Sequence, residues 1–355
     1  MPTAPETLLN ELADIVSKEG ASDLHLSEGR SPIIRVSGFL MPLTKYPVST
    51  KEEMEGFVQS LLSEANKEEL KINNETNLSW NDVHGHRFRC NVYVTMGRIS
   101  IAMRFIPEEI KSFEALSLPP ILANFARKQQ GFFLVVGPVG VGKSTTLASI
   151  VETINSERLD HIVTIEDPIE YVFKEKKSLI DQREVKIDTP DFHTALRGVF
   201  RQDADVVMIG EMRDKETISA AVTAAETGHL IISTLHTNTA AQTIDRIIDT
   251  FPADQQGQIR LQLSSSLLGI FSQRLVPRIS GGLVPAFELL INNNAVSNLI
   301  RERRTHEIQS VIETGAEEGM IDLNRSLADL VRRGEITVET AIQYSNNPRT
   351  LERML

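Results

Sequence analysis

Apolar residues recur along this chain at two different periods, and the change of period divides it. Leu8, Leu9, Leu12, Ile15 and Val16 lie at helical spacing with Gly20 after them as a stop signal, so the chain is expected to open with a short amphipathic helix. Residues 23–26 and 33–36 read as strands, punctuated by Ser31-Pro32 and Ser37-Gly38. Met54, Phe57, Val58, Leu61 and Leu62 share one face of a helix expected over residues 51–70. From 78 to 105 the period becomes two: Phe88, Cys90, Val92 and Val94 alternate with Arg87, Arg89, Asn91 and Tyr93. Residues 1–106 are therefore expected to form a small α+β domain.

Pro107 and the pair Pro119-Pro120 bracket a stretch that reads as a linker, residues 107–120, containing Phe113-Glu114-Ala115-Leu116. Beyond it the pattern changes again. Short continuous apolar runs at 132–136, 162–165, 206–209 and 230–235 are separated by longer helical patterns. A run apolar on both faces is the mark of a strand covered on both sides, and alternation with helices implies a mostly parallel sheet. This α/β core is expected over residues 121–294. From Ala295 the chain reads as helical and highly charged, with Leu323, Leu327, Leu330 and Val331 ending near Gly334, so a helical region over 295–355 closes it.

Composition narrows the picture. A length of 355 residues suits two domains with an appendage. The 41% hydrophobic and 24% charged content argues against a largely disordered chain, a collagen-like chain or a rod. A net charge of −11 leaves no basic footprint for direct nucleic-acid binding, and 5% aromatic residues make a base-stacking platform improbable. Cys90 alone can form neither an internal disulfide nor a four-ligand structural zinc site. The start carries no basic and apolar leader, and the longest apolar runs fall far short of a membrane span. An acidic cytoplasmic enzyme or binding protein, without membrane insertion, is the expectation.

Chemistry enters at Gly137-Pro138-Val139-Gly140-Val141-Gly142-Lys143-Ser144, two glycines separated by four residues and followed by Lys and Ser. A match of this kind arises by chance in about one per cent of chains this long. It also follows a predicted strand and opens a helix expected from Thr145 to residue 154, where a phosphate cradle must sit. Glycines let the loop curl so that successive N–H groups face phosphate oxygens, and the helix N-terminus adds partial positive charge. Lys143 is placed to neutralise the β- and γ-phosphates of a nucleotide, and the Ser144 hydroxyl to ligate Mg²⁺. A glycine turn with an incidental surface lysine is the competing reading.

Ligands of open parallel sheets lie beyond the carboxyl ends of the strands. Three polar edges follow apolar runs here: Glu166-Asp167-Pro168, Gly210-Glu211 and His236. A carboxylate there holds Mg²⁺ or orients the attacking water, and a histidine senses the γ-phosphate. Taken singly, each carboxylate is more often a turn or helix cap; three beside a phosphate loop reverse that preference. Glu211 is the stronger catalytic candidate, because it terminates the strand that usually carries the metal-linked acid in such folds, and Gly210 before it in place of Asp leaves Glu211 as the available carboxylate. His229, at the start of its strand, reads as structural. Arg87, Arg89, Arg98 and Arg104 gather on the strands of the first domain; singly they read as solvated, and together as fingers able to reach a nucleotide on a neighbouring subunit.

These motifs together resemble the secretion-superfamily ATPases, and most closely the type IV pilus retraction ATPases, the PilT family. Residues 20–26, Gly-Ala-Ser-Asp-Leu-His-Leu, resemble that family's entry to a PAS-like N-terminal domain. Residues 164–170 resemble its Asp box, 209–214 its atypical Walker B segment, and 227–229 through 234–237 its His box. The resemblance implies a PAS-like domain followed by a RecA-like ATPase domain, assembled as a homohexamer with ATP bound between the domains of one subunit and completed by arginines of the next. It implies ATP and Mg²⁺ as nucleotide and metal, and residues 137–145 through Thr145 as the nucleotide cradle. Ser144 and Glu211 are then metal-associated, Glu211 is the catalytic carboxylate, Glu166 assists water or metal, His236 reads the γ-phosphate, and Arg87, Arg89 and Arg104 are finger candidates. The partners implied are an inner-membrane platform protein and the pilus base, the motor working at the inner face of the cytoplasmic membrane.

Two features choose among relatives. Extension and type II secretion ATPases usually carry a tetracysteine zinc motif, which a single Cys excludes. Residues 295–302, Ala-Val-Ser-Asn-Leu-Ile-Arg-Glu, resemble the C-terminal retraction motif, with Val296-Ser297 where Ile-Arg is typical. Pilus retraction is therefore the expected function. The competing readings are a related motor for extension, secretion or DNA uptake, and a nucleotide-dependent regulatory module that hardly hydrolyses ATP.

Overall fold

The chain divides into two compact units with no core cluster of the described residues shared between them, Met1–Glu109 with Pro168–Val172, and Ile110–Asp167 with Phe173–Leu355. The computed structural model describes residues 4–36, 38–106 and 109–355. The turn residue Ser37 and the linker residue Pro107 lie outside the described residues.

In the first unit, α1 (Pro5–Lys18) is followed by β1 (Asp23–Ser27), β2 (Ile33–Val36) and β3 (Phe39–Pro42), then α2 (Lys51–Leu61), α3 (Glu64–Asn73), β4 (Glu75–Asn81), β5 (Arg87–Thr95) and β6 (Arg98–Ile106). The strands form one antiparallel sheet in the order β3-β2-β1-β6-β5-β4. Alternation places Phe88, Cys90 and Val92 inward, where they meet Leu24, Leu26 and Met103 of the sheet and Leu9, Leu12, Met54 and Phe57 of the helices. That inward row stops short of Val94, which is exposed. The single helix expected over 51–70 is two helices. Leu62 turns extended, and the Ser63 hydroxyl accepts the N–H of Asn66 at 3.3 Å, giving a new helix start its missing partner.

The second unit runs α4 (Leu122–Ala126), β7 (Gly131–Val136), α5 (Lys143–Glu157), β8 (His161–Glu166), β9 (Leu179–Glu184), α6 (Phe192–Val199), β10 (Val206–Ile209), α7 (Lys215–Glu226) and β11 (Leu230–Leu235). It continues through α8 (Ala240–Asp249), α9 (Gln256–Ser266), β12 (Leu267–Pro277) and β13 (Leu283–Ile291). The helices α10 (Asn294–Arg301), α11 (Ile308–Thr314), α12 (Leu323–Arg332), α13 (Val338–Tyr344) and α14 (Pro348–Glu352) complete it. Its sheet order is β13-β12-β7-β11-β10-β8-β9, parallel throughout except for the β12–β13 hairpin. Every residue of β7, β10 and β11 is buried, as continuous apolar runs require when helices cover both faces.

The expectation of a mostly parallel sheet holds, but three strands have no counterpart in the sequence reading. β9 carries Asp181, Gln182, Arg183 and Glu184, and β12 carries Ser272, Gln273 and Arg274 in its second half, so neither is an unbroken apolar run. β13 pairs antiparallel with β12 from Leu283 to Ile291. The C-terminal region is not wholly helical, since Ile321 bridges to Leu289 of β13. Leu323, Leu327 and Leu330 of α12 pack on Val276 and Val284 at the far end of that hairpin.

Parallel pairing carries a consequence for chemistry. Val136, Leu235 and Ser272 lie in register across β7, β11 and β12, and Ile209 and Ile165 across β10 and β8. The residues that follow these strand ends therefore leave the sheet along one edge.

Candidate phosphate-binding and hydrolytic site

At that edge the loop after β7 turns through three glycines with positive φ: Gly137 at 147°, Gly140 at 81° and Gly142 at 84°. Side chains resist these conformations. At Gly137 space also forbids one, because a Cβ would stand 2.4 Å from the Gln273 carbonyl oxygen. Pro138, Val139 and Gly140 are exposed at the loop's crest, and Val141 is half-buried. α5 starts at Lys143, with Ser144 and Thr145 half-buried in its first turn. The orphan N–H groups of that turn and the helix dipole are groups that can face an anion.

Lys143 is buried and its side chain curls back over the loop. Its Nζ donates to the carbonyls of Gly137 at 2.9 Å and Pro138 at 2.8 Å, and lies 3.3 Å from His236 Nδ1. An ammonium only donates, so Nδ1 is the acceptor and the proton of the neutral ring resides on Nε2. That nitrogen lies 3.6 Å from Glu211 Oε2, while the other carboxylate oxygen pairs with Arg213. Lys143, His236 and Glu211, from three strand ends, thus form one chain of polar contacts. Glu166 ends β8 and is buried, accepting from Thr164 Oγ1 at 2.8 Å and Gln182 Nε2 at 3.2 Å. Gly210, just before Glu211, lies beside the end of β8, where a Cβ on it would stand 3.5 Å from Glu166 Cα.

His229 precedes β11 at the opposite end, where Nδ1 meets the Ala224 carbonyl at 3.1 Å and Phe200 stands edge-on at 5.5 Å. The candidate arginines belong to the first unit. Arg89 and Arg104 are cross-strand neighbours on β5 and β6, and Arg87 opens β5. Arg104 Nε donates to Asp23 at 3.0 Å, Arg89 lies 4.0 Å from Glu170, and Arg98 lies 3.7 Å from Glu28.

Two buried polar residues at the site's support have no counterpart in the sequence reading. Gln273 lies against the phosphate loop. Glu288 on β13 accepts the N–H of Ala240, the first residue of α8, at 2.8 Å, and so anchors the helix that follows His236. Its other oxygen is buried and has no hydrogen-bond partner among the described residues, and burial pushes the carboxyl up to about 7. A lone polar residue inside a strand gives no sequence signal until the pairing is known.

A Mg²⁺ ion suits the donors at this edge. Ser144 and Glu211 offer oxygen, the ligand type Mg²⁺ takes, and among the described residues no group of three or more His, Cys, Asp and Glu could hold a metal ion. Mg²⁺ is commonly bound by one or two protein oxygens together with substrate phosphates, not by an all-protein cage.

Residues 3–343 match the family described as type II/IV secretion system protein. The chain is 41% identical over 340 residues to the type IV pilus retraction ATPase PilT of Pseudomonas aeruginosa, covering 96% of this chain and 98% of that protein. It is 43% identical over 322 residues to a twitching motility protein of Neisseria gonorrhoeae, covering 90% and 86%. Its fold matches a crystal structure of the pilus retraction motor PilT with bound ADP at a TM-score of 0.91 and 45% identity, over 97% of this chain and 98% of that one.

Proposed function

The chain belongs to the family of type II/IV secretion system proteins, and from that premise we propose that it is an ATP-hydrolysing motor for type IV pilus retraction. Its likeness to PilT over nearly the whole length supports this function, and the convergence of Lys143, His236 and Glu211 at one sheet edge is the observation that carries the chemistry. The first unit is read as the PAS-like domain and the second as a RecA-like ATPase with its helical appendage. The assembly is read as a homohexamer acting on an inner-membrane platform protein and the pilus base, peripheral to the cytoplasmic face of the membrane. Among the described residues no helix is long and apolar enough to cross a membrane.

ATP phosphates would lie on the loop 137–145, meeting the N–H groups of the first turn of α5. The Gly137 and Pro138 carbonyls are neutral and a phosphate is an anion, so a bound phosphate draws the Lys143 ammonium from them by direct attraction of opposite charges. That exchange frees His236 Nδ1 from its lysine contact, and the ring reads the γ-phosphate there once its proton moves from Nε2 to Nδ1, since a phosphate oxygen only accepts. Glu211, beside His236, orients and deprotonates the attacking water, and Glu166 supports it from the end of β8. Ser144 and Glu211 would hold Mg²⁺ together with the phosphates, and the ion would supply neutralisation of their charge. Arg87, Arg89 and Arg104 serve as fingers toward a neighbouring subunit's nucleotide, and Arg104 must then leave Asp23.

The test joins turnover to phenotype. Purified protein should release phosphate from ATP, and a strain lacking the gene should keep surface pili without twitching. Bald cells would assign it to assembly instead, and absent turnover would leave a regulatory module.

A further inference from the structure

We propose that Gln273 is a positioning residue that sets the phosphate loop in its anion-binding form by fixing the orientation of one peptide group. This rests on the reading of residues 137–145 as the phosphate cradle. Gln273 follows Ser272, the partner of Val136 in the β12–β7 register, so it stands beside the strand end from which the loop departs. Its side chain is buried and spans two parts of the cradle. Nε2 donates to the Val141 carbonyl at 2.6 Å, and Oε1 accepts from the Thr146 hydroxyl at 2.7 Å.

A carbonyl only accepts, so Nε2 must face Val141, and the Thr146 hydroxyl, itself buried, gives Oε1 its donor. The amide therefore has one orientation. In a trans peptide the C=O and the following N–H point in opposite directions. Holding the Val141 carbonyl on Gln273 turns the Gly142 N–H away from Gln273, the orientation in which it would serve a bound phosphate. This peptide joins Val141 to Gly142 and is preceded by Gly140, and both glycines have positive φ. Glycine backbones rotate with little steric cost, so the chain itself resists a flip of this peptide weakly. Gln273 supplies the resistance. Its own backbone carbonyl lies against Gly137, so one residue of β12 touches the loop at its start, its middle and, through Thr146, the helix it opens. The preceding residue ties in the neighbouring loop, since Ser272 Oγ donates to the Asn238 carbonyl two residues beyond His236, at 2.8 Å.

The test compares Gln273→Met, which keeps the volume and removes both hydrogen bonds, with the parent protein and Lys143→Ala. Full-length protein is titrated with ADP and with inorganic pyrophosphate, which engages only the cradle. Gln273→Met should weaken both at least tenfold, with the unfolding temperature of the ligand-free protein little changed, and should raise KM for ATP more than it lowers kcat. Thr146→Val, which leaves Gln273 in place and removes the hydroxyl that orients it, should weaken pyrophosphate several-fold, and Thr146→Ser should restore it. Thr146 variants carry the test should Gln273→Met fail to fold. If Lys143→Ala loses ADP while Gln273→Met and Thr146→Val bind ADP and pyrophosphate within twofold of the parent, the positioning role is overturned and the cradle stands. If Lys143→Ala binds both as the parent does, the cradle reading itself has failed.

Discussion

Replacing Glu288 with Gln should make the protein more stable at alkaline pH and leave it nearly unchanged at pH 5. Burial raises this carboxyl from 4.5 to about 7, with the nearby negative Asp322 adding to the rise and the Ala240 N–H and Arg274 opposing it. A group whose folded pKa lies above its unfolded value prefers its proton in the fold. Stability is then lost as pH climbs from about 4.5 through about 7 and stays low above that. At about 1.4 kcal/mol per pH unit the cost of ionising Glu288 in the fold reaches about 3 kcal/mol at pH 8, and less than about 1 kcal/mol at pH 5. Gln keeps the oxygen that receives the Ala240 N–H and never ionises. For a unit of this size about 3 kcal/mol corresponds to roughly 6–12 °C in unfolding temperature. Calorimetry of both proteins from pH 5 to 8 reads the difference between them, in which the other titrations cancel. A difference that does not change with pH would refute the reasoning.

The remaining expectations concern the site and the surface. Lys143→Ala should lose ATP and ADP affinity together, by about tenfold or more, because it removes a charge-assisted donor to phosphate; equilibrium titration checks it. Glu211→Gln should lower kcat by about 10² to 10⁴ while ADP affinity changes little, a split measured by turnover against titration. Gly137→Ala should abolish nucleotide binding, since its Cβ would fall 2.4 Å from the Gln273 carbonyl and displace the loop, seen as lost ADP binding. In α10, Val296, Leu299 and Ile300 are buried while Asn298 and Arg301 are exposed. Changing Asn298 and Arg301 should spare ATP turnover and impair retraction in cells, scored by twitching.

Legibility in the sequence followed how local each cause was. The glycine loop before α5 was readable because its requirements, glycines at tight turns and a lysine opening a helix, are met within eight consecutive residues. β7, β8, β10 and β11 were readable because covering both faces of a strand leaves an unbroken apolar run. The break at Ser63 was hidden because Leu61 and Leu62 continue the apolar face, and a hydroxyl cap acts through one backbone N–H without altering the period. Gln273 was invisible for a different reason. Its partners Thr146 and Val141 lie 127 and 132 residues away, and only the pairing of β12 with β7 brings them together. Glu288 likewise acquires its role from the start of α8, 48 residues distant.

The most direct test of the central claim is phosphate release from ATP by the purified protein, measured beside Glu211→Ala with ADP binding followed in the same preparations. The account predicts steady turnover in the parent, turnover reduced by at least about a hundredfold in the variant, and ADP bound by both. Equal phosphate release from the two proteins would contradict it.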